Sequence, residues 1–231
     1  MTYTKRPDGR KMDESRPIEC KVGVVPSANG SAMFSQGDTI AIASVHGPKI
    51  LHPKNQQDPK KGKVRVHYGM LPFSVNDRIR PGFSRRSQEI NKVTEWALSS
   101  VVMLDDLPGT VVDVHINIIQ ADAGTRCAGI NAAAMALAHA GIPMKEMVSA
   151  IAVGKIDDKI VVDIDKKEED WEDGEGATDI PLTFTSNSEK ITLLQLDGKI
   201  RGKELITALE AGKKSAKEIL ELQKKALKET Q

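Results

Sequence analysis

Val112, Val114, Ile116 and Ile118 alternate with Asp113, His115 and Asn117, and within a few residues this pattern gives way to a long alanine-rich run. A two-residue period is that of a strand with one face buried. From Gly124 to Ala140 the chain carries Ile130, Ala133, Ala134 and Leu137 along one side, and Gly141 followed by Pro143 supplies a usual helix end. A strand that feeds directly into a buried helix requires sheet and helix to be packed in layers, which excludes an all-helical bundle and an all-β sandwich.

The flanking segments fit that frame. Val22–Val25, Ser31–Phe34 and Thr39–Gly47 are short apolar or β-branched runs separated by turn residues, and Val64–Pro72 resumes an extended pattern after the polar, basic loop Leu51–Lys63. Ser84 is a plausible cap for a helix reaching Asp105, with Ile90, Val93, Ala97, Val101 and Leu104 at helical spacing. Ala150–Val153 with Ile160–Ile164, and Ile180–Thr185 with Ile191–Leu196, read as two hairpins, and a last amphipathic helix spans about Gly202–Leu227. The expectation is an α+β fold, one domain over residues 1–231, with loosely similar halves of about 1–105 and 106–231 and no linker between them.

Composition narrows the function classes. The 33 Lys and Arg nearly cancel the 32 Asp and Glu, so contact with a polyanion must come from a local cluster. Cys20 and Cys127 form no CxxC, which suits a reducing compartment. The start Met1-Thr2-Tyr3-Thr4-Lys5-Arg6 is polar and no run is long enough to span a bilayer, so no membrane contact and a cytoplasmic location are expected. No GxxxxGK[ST], HExxH or GxSxG occurs.

Three features carry chemistry. Gln120-Ala121-Asp122-Ala123-Gly124-Thr125-Arg126 lies at the strand-to-helix junction, where free amides, the Thr125 hydroxyl and the Arg126 fork converge on a space suited to phosphate. The same junction is also how an ordinary capped helix begins. Asp173 and Asp179 flank a glycine-rich turn and could together hold a divalent metal, although paired acids in a charge-rich chain are often only a solvated loop. Arg78, Arg80, Arg85 and Arg86 precede or open the long helix, where cations oppose its dipole, and arginine forks match phosphate geometry. With two Trp, two Tyr and four Phe, any RNA contact should be made mainly to the backbone. His46, His52, His67, His115 and His139 show no ligand spacing, so structural or surface roles are expected for them.

Arg6-Pro7-Asp8-Gly9-Arg10, Tyr68-Gly69-Met70-Leu71-Pro72-Phe73, Ser84-Arg85-Arg86, Gln120 to Arg126 and Ala177-Thr178-Asp179-Ile180-Pro181 resemble, in this order, motifs of the ribonuclease PH family. The resemblance covers nearly the whole chain, and within the family it is greatest to the catalytic ring subunits of archaeal exosomes. It implies a duplicated β-α fold of the ribosomal-protein-S5-domain-2 type and 3′-to-5′ RNA degradation in which inorganic phosphate is co-substrate and nucleoside diphosphates are released, a reaction reversible to RNA tailing. It also implies Mg²⁺ or Mn²⁺, and a six-membered ring shared with a related non-catalytic subunit beneath S1/KH-type cap proteins. Position by position, Gly124, Thr125 and Arg126 match the phosphate-binding segment, and Asp179 and Asp173 the two acids that act in catalysis or hold metal. Arg85 and Arg86 match an RNA-binding pair, and Lys54 lies in the loop that supplies a basic residue at the ring entrance. A non-catalytic RNA-binding scaffold and a homohexameric tRNA-trimming enzyme are the alternatives.

Overall fold

The alternation at Val112–Ile118 is a strand, yet it completes a sheet made from the residues before it. The computed structural model describes residues 3–82 and 84–229, so the polar start at Met1 and Thr2, and Phe83 within the arginine-rich stretch, lie outside the described residues. Strands β1 (Ile18–Val22), β2 (Gly30–Gln36), β3 (Thr39–Ile50), β4 (Lys63–Met70) and β5 (Thr110–Gln120) form a five-stranded sheet in the order β1-β2-β3-β5-β4. Its one parallel pair is β4 with β5, which is why a long helix, α1 (Arg85–Ser99), connects them. The sequence reading opens a second half with this strand, but β5 pairs with β3 and β4 and the two sheets divide after it.

The second sheet is antiparallel throughout, in the order β7-β6-β8-β9, from β6 (Val148–Ile156), β7 (Lys159–Val162), β8 (Ala177–Thr185) and β9 (Ile191–Leu194). Helix α2 (Thr125–His139) packs on β2 and β3 of the first sheet and on β6 of the second, the short α3 (Lys166–Glu169) lies between β7 and β8, and α4 (Gly202–Glu229) crosses β6 and reaches β1 and β7. Apolar side chains of both sheets merge into one continuous core. The α+β layering expected from the sequence is therefore found, and among the described residues no helix is long and apolar enough to cross a membrane.

Being apolar on all sides, α2 belongs between layers rather than at a surface. Its alanines permit close approach: a Cβ on Gly30 of β2 would fall 2.3 Å from the Ala140 amide. Asn131, fully buried on α2, donates to the Ala150 carbonyl and accepts from the Ala150 amide, both at 2.8 Å, and accepts from Gln223 of α4 at 3.1 Å. These bonds satisfy its amide and fix α2 against the second sheet.

Two boundaries differ most from the sequence reading. The first strand covers Ile18–Val22 rather than Val22–Val25, because Gly23 turns the chain at φ +74°. Helix α1 stops at Ser99 instead of Asp105, since Val102 leaves the helix to bridge to Met144. Ser84 caps it as expected, in a reciprocal capping box with Ser87.

Candidate active site

The turn joining β5 to α2 is held open by its neighbours. Thr39 Oγ1 accepts from the Asp122 amide at 3.0 Å and donates to the Ala123 carbonyl at 2.7 Å. Ala123 and Gly124 both adopt left-handed backbone, at φ +55° and +64°, which a glycine allows at no cost and an alanine does only when its surroundings impose it. Gly124 is the N-cap of α2 and no side chain caps the helix. Its first amides and the positive end of its dipole are thus left for an anion.

Thr125 is buried, and its Oγ1 accepts a 2.9 Å hydrogen bond from the Tyr68 hydroxyl of β4, which leaves the threonine's own hydrogen to be donated to a ligand. Burial pushes the Tyr68 phenol up, so it remains a donor, against the opposing pull of this bond and of the Arg86 and Arg126 charges. Arg126 donates through Nη2 to Glu89 at 3.3 Å, while its buried Nε has no partner. A guanidinium with an unused buried donor beside an uncapped helix start is an arrangement able to take an anion.

Opposite stands Asp179, the third residue of β8. Its amide donates to Asp197 and its carbonyl accepts from the Asp197 amide, both at 2.9 Å, which fixes its backbone on both sides. Burial pushes its carboxyl up to about 6, helped by the negative charges of Glu169 and Asp197 and opposed by Arg126 and Arg86. Asp179 Oδ1 is buried without a hydrogen-bond partner. Arg86, Thr125, Arg126, Glu169, Asp179 and Asp197 all line one cavity of about 260 Å³.

Not every residue expected at the site lies there. Gly124, Thr125, Arg126, Arg86 and Asp179 line the cavity, but Arg85 does not; it is exposed at the first position of α1. Arg86 also borders a larger adjoining groove that includes Phe73, Asn76 and Lys166. Asp173 is exposed in the turn before β8, where its carbonyl accepts from Gly176, and it does not line the cavity; the acids beside Asp179 are Glu169 and Asp197. Lys54 is exposed beyond the far end of β3. The ten residues of paired β3 and β5 between them put it roughly 30 Å from the junction.

No three His, Cys, Asp or Glu side chains among the described residues are grouped to hold a metal ion by themselves. The partnerless Asp179 Oδ1, buried among like charges, is the kind of oxygen that would suit a divalent cation.

Sequence reasoning assigned no role to Tyr68, Glu169 or Asp197. Tyr68 lies in a motif that carries the resemblance, and Glu169 in the acidic stretch before the glycine-rich turn, but neither carries a local sign of which way it faces. Replacing Tyr68 by Phe deletes one neutral hydrogen bond, a loss of about 0.5–1.5 kcal/mol. The expected result is a melting temperature lower by about 2–4 °C per kcal/mol lost, with a weaker phosphate affinity because Thr125 loses the bond that orients its hydroxyl, read by a thermal melt and phosphate titration.

Residues 14–143 match the model of the 3′ exoribonuclease family, domain 1, and residues 146–215 match domain 2 of the same family. The chain is 48% identical over 225 residues to the exosome complex component Rrp41 of Pyrococcus abyssi, covering 97% of this chain and 89% of the relative. Among solved structures it is similar to rice (Oryza sativa) Rrp46, at 26% identity and a TM-score of 0.85 over 96% of this chain and all of the other. A chain of the Archaeoglobus fulgidus exosome with RNA bound to the active site shares the fold, at 24% identity and a TM-score of 0.81, over 94% of this chain and 92% of that one.

Proposed function

The chain belongs to the 3′ exoribonuclease family of ribonuclease PH type, and from that premise we propose that it shortens RNA from the 3′ end by phosphorolysis, as a catalytic ring subunit of an exosome. The observation that carries this reading is the convergence on one cavity of an uncapped helix start, an arginine with an unused buried donor, and a carboxyl held near neutrality. Phosphate fits the first two and a leaving alkoxide requires the third.

In the proposed reaction the α2 amides, Thr125 and Arg126 hold inorganic phosphate in line with the terminal phosphodiester. A phosphate oxygen bonds to the terminal phosphorus while the bond from that phosphorus to the preceding 3′ oxygen breaks. Neutral Asp179 protonates that oxygen and regains a proton from solvent, which releases a nucleoside diphosphate and leaves RNA one residue shorter with a 3′ hydroxyl. The reverse step extends RNA from nucleoside diphosphates. Alternatively, ionised Asp179 would hold a divalent cation, Mg²⁺ or Mn²⁺, which would supply the positive charge that stabilises the leaving group in place of the proton. Asp173, which does not line this cavity, is kept in the proposal only as the second acid that would help to hold the cation.

Arg86, on the border of cavity and groove, grips the phosphate that precedes the scissile bond, and Arg85 on the same helix start meets the strand further out. Lys54, at the other end of the sheet, contacts RNA before it reaches the cavity. The similarity to exosome components supports a heteromeric ring with a related ribonuclease PH-like subunit; a non-catalytic role for that subunit, S1/KH-type caps and a cytoplasmic site of action are further parts of the proposal. With a 3′-tailed RNA and the assembled ring, the cleavage rate should rise from near zero and saturate with added phosphate. Cleavage at full rate without phosphate would contradict the proposal. Mass measurement of the chain, alone and with its partner, separates a heteromeric ring from a homohexamer.

A further inference from the structure

Arg16 lies outside the cavity, and the reaction above makes no use of it. It is nevertheless buried and makes more polar contacts than any exposed arginine needs. Its Nε and Nη2 grip Asp163 Oδ2 and Oδ1 at 2.9 and 2.7 Å, and its own amide donates to Asp163 Oδ2 at 2.7 Å. The remaining nitrogen, Nη1, donates to the Asp122 carbonyl and to Asp122 Oδ2, the latter at 3.2 Å. Asp122 is the residue before the two left-handed positions that open α2.

The packing leaves Arg16 one course. A Cβ on Gly37 would fall 2.5 Å from Arg16 Cδ, and one on Gly124 would lie 3.5 Å from its Nη2. The side chain therefore runs over Gly37 and ends beside the N-cap. Asp163 is itself immobilised: it has φ +56°, its amide donates to the Ala152 carbonyl at 2.8 Å, and its carbonyl accepts from Arg6 at 2.7 Å and Arg10 at 3.1 Å. On the other side, Asp122 Oδ1 accepts from the Lys166 amide at 3.2 Å, the first residue of the short helix α3 (Lys166–Glu169) whose Glu169 borders Asp179. One guanidinium thus joins the buried Asp163 to the turn that opens the phosphate site, and through Asp122 to the acid side of the cavity.

We infer that Arg16, anchored by Asp163, is a positioning residue for phosphate: it holds the Asp122-Ala123-Gly124 turn in the left-handed conformation that leaves the α2 amides open to the anion. This rests on the phosphorolytic reading of the cavity. Lysine at position 16 keeps the charge but has no fork with which to reach Asp163 and Asp122 together. Thr39→Val loosens the same turn by removing the hydroxyl that bridges Asp122 and Ala123, and it does so without touching the ion pair.

The test is calorimetric titration of inorganic phosphate into the assembled ring, with RNA binding measured alongside, for the wild type, Arg16→Lys and Thr39→Val. Expected is a fall in phosphate affinity of about tenfold or more in each variant, from loss of charge-assisted positioning, with RNA affinity within about twofold of wild type. A merely structural strut would lower both affinities together or only the melting temperature. Wild-type phosphate affinity in folded Arg16→Lys, or in Thr39→Val where the lysine variant does not fold, overturns the inference, as does a parallel loss of phosphate and RNA binding. A wild type that binds phosphate but cleaves RNA without it overturns the reaction and leaves the positioning role intact; a wild type that binds no phosphate overturns both.

Discussion

Asp179→Asn, assembled with its partner subunit, is expected to lose about 10²- to 10⁴-fold in kcat, the range for removal of a general acid, while RNA binding stays within about twofold. Asn has the shape of Asp but no proton to give the leaving oxygen. In the wild type the limb of kcat/KM that needs this proton should decline as pH rises through about 6, where Asp179 ionises, and the limb should be absent from the variant. The substitution should affect stability in the opposite sense to activity. A carboxyl raised from 3.8 to about 6 by folding is no burden while neutral, below pH 3.8; the folded state then loses stability as pH rises to about 6 and carries the full penalty above it. At about two pK units this is up to roughly 3 kcal/mol, so Asp179→Asn should melt higher than wild type at pH 8 and level with it below pH 4. Unchanged phosphate-dependent cleavage by the variant would remove Asp179 from the mechanism.

The second large effect lies in the N-terminal segment. Arg6 and Glu168 are both fully buried and paired through two hydrogen bonds, Nε to Oε1 at 2.8 Å and Nη2 to Oε2 at 2.7 Å. The Arg6 fork also serves the carbonyls of Lys11, Glu14, Val162 and Asp163, and Glu168 accepts from the Tyr3 hydroxyl at 2.6 Å. Arg6→Leu would leave Glu168 charged in the interior and four carbonyls short of a donor. Breaking such a pair costs about 3–5 kcal/mol. For a chain of this size that corresponds to a melting temperature lower by roughly 10 °C, measurable by calorimetry. Since Glu168 precedes Glu169, the same variant should also lower activity at temperatures where it remains folded. A melting temperature within about 2 °C of wild type would show that the pair is replaced by water or by local rearrangement.

The phosphate side of the site was legible because it is local: a strand, a short turn with glycine and a helix start are consecutive in sequence, and the free amides follow from that order alone. The acid side was legible in part: Asp179 stood out beside its glycine-rich turn, but its place opposite Arg126 did not. Nothing within Ala177–Pro181 states that Asp179 faces Arg126, since that depends on how β8 pairs with β6 and on the bridge to Asp197. Tyr68 was missed for a related reason. Parallel pairing of β4 with β5 places it against Thr125, 57 residues away, and a period-2 pattern identifies a strand without naming its neighbours. That same limit put β5 at the head of a second half. Asp173 shows the converse: it is close to Asp179 in sequence, but the glycine-rich turn keeps it off the cavity wall. The histidines make a further case. Their spacing shows no motif, yet the register stacks His67 on His115 at 4.7 Å, with His46 edge-on at 5.7 Å.

The central claim is that inorganic phosphate, held by the α2 start and Arg126, becomes part of the product. Incubating the assembled ring with unlabelled RNA and ³²P-labelled inorganic phosphate, then separating the released nucleotides, tests it most directly. The account predicts nucleoside diphosphates labelled at the β-phosphate, formed about 10²- to 10⁴-fold more slowly by Asp179→Asn. Release of unlabelled nucleoside monophosphates at the wild-type rate would contradict it.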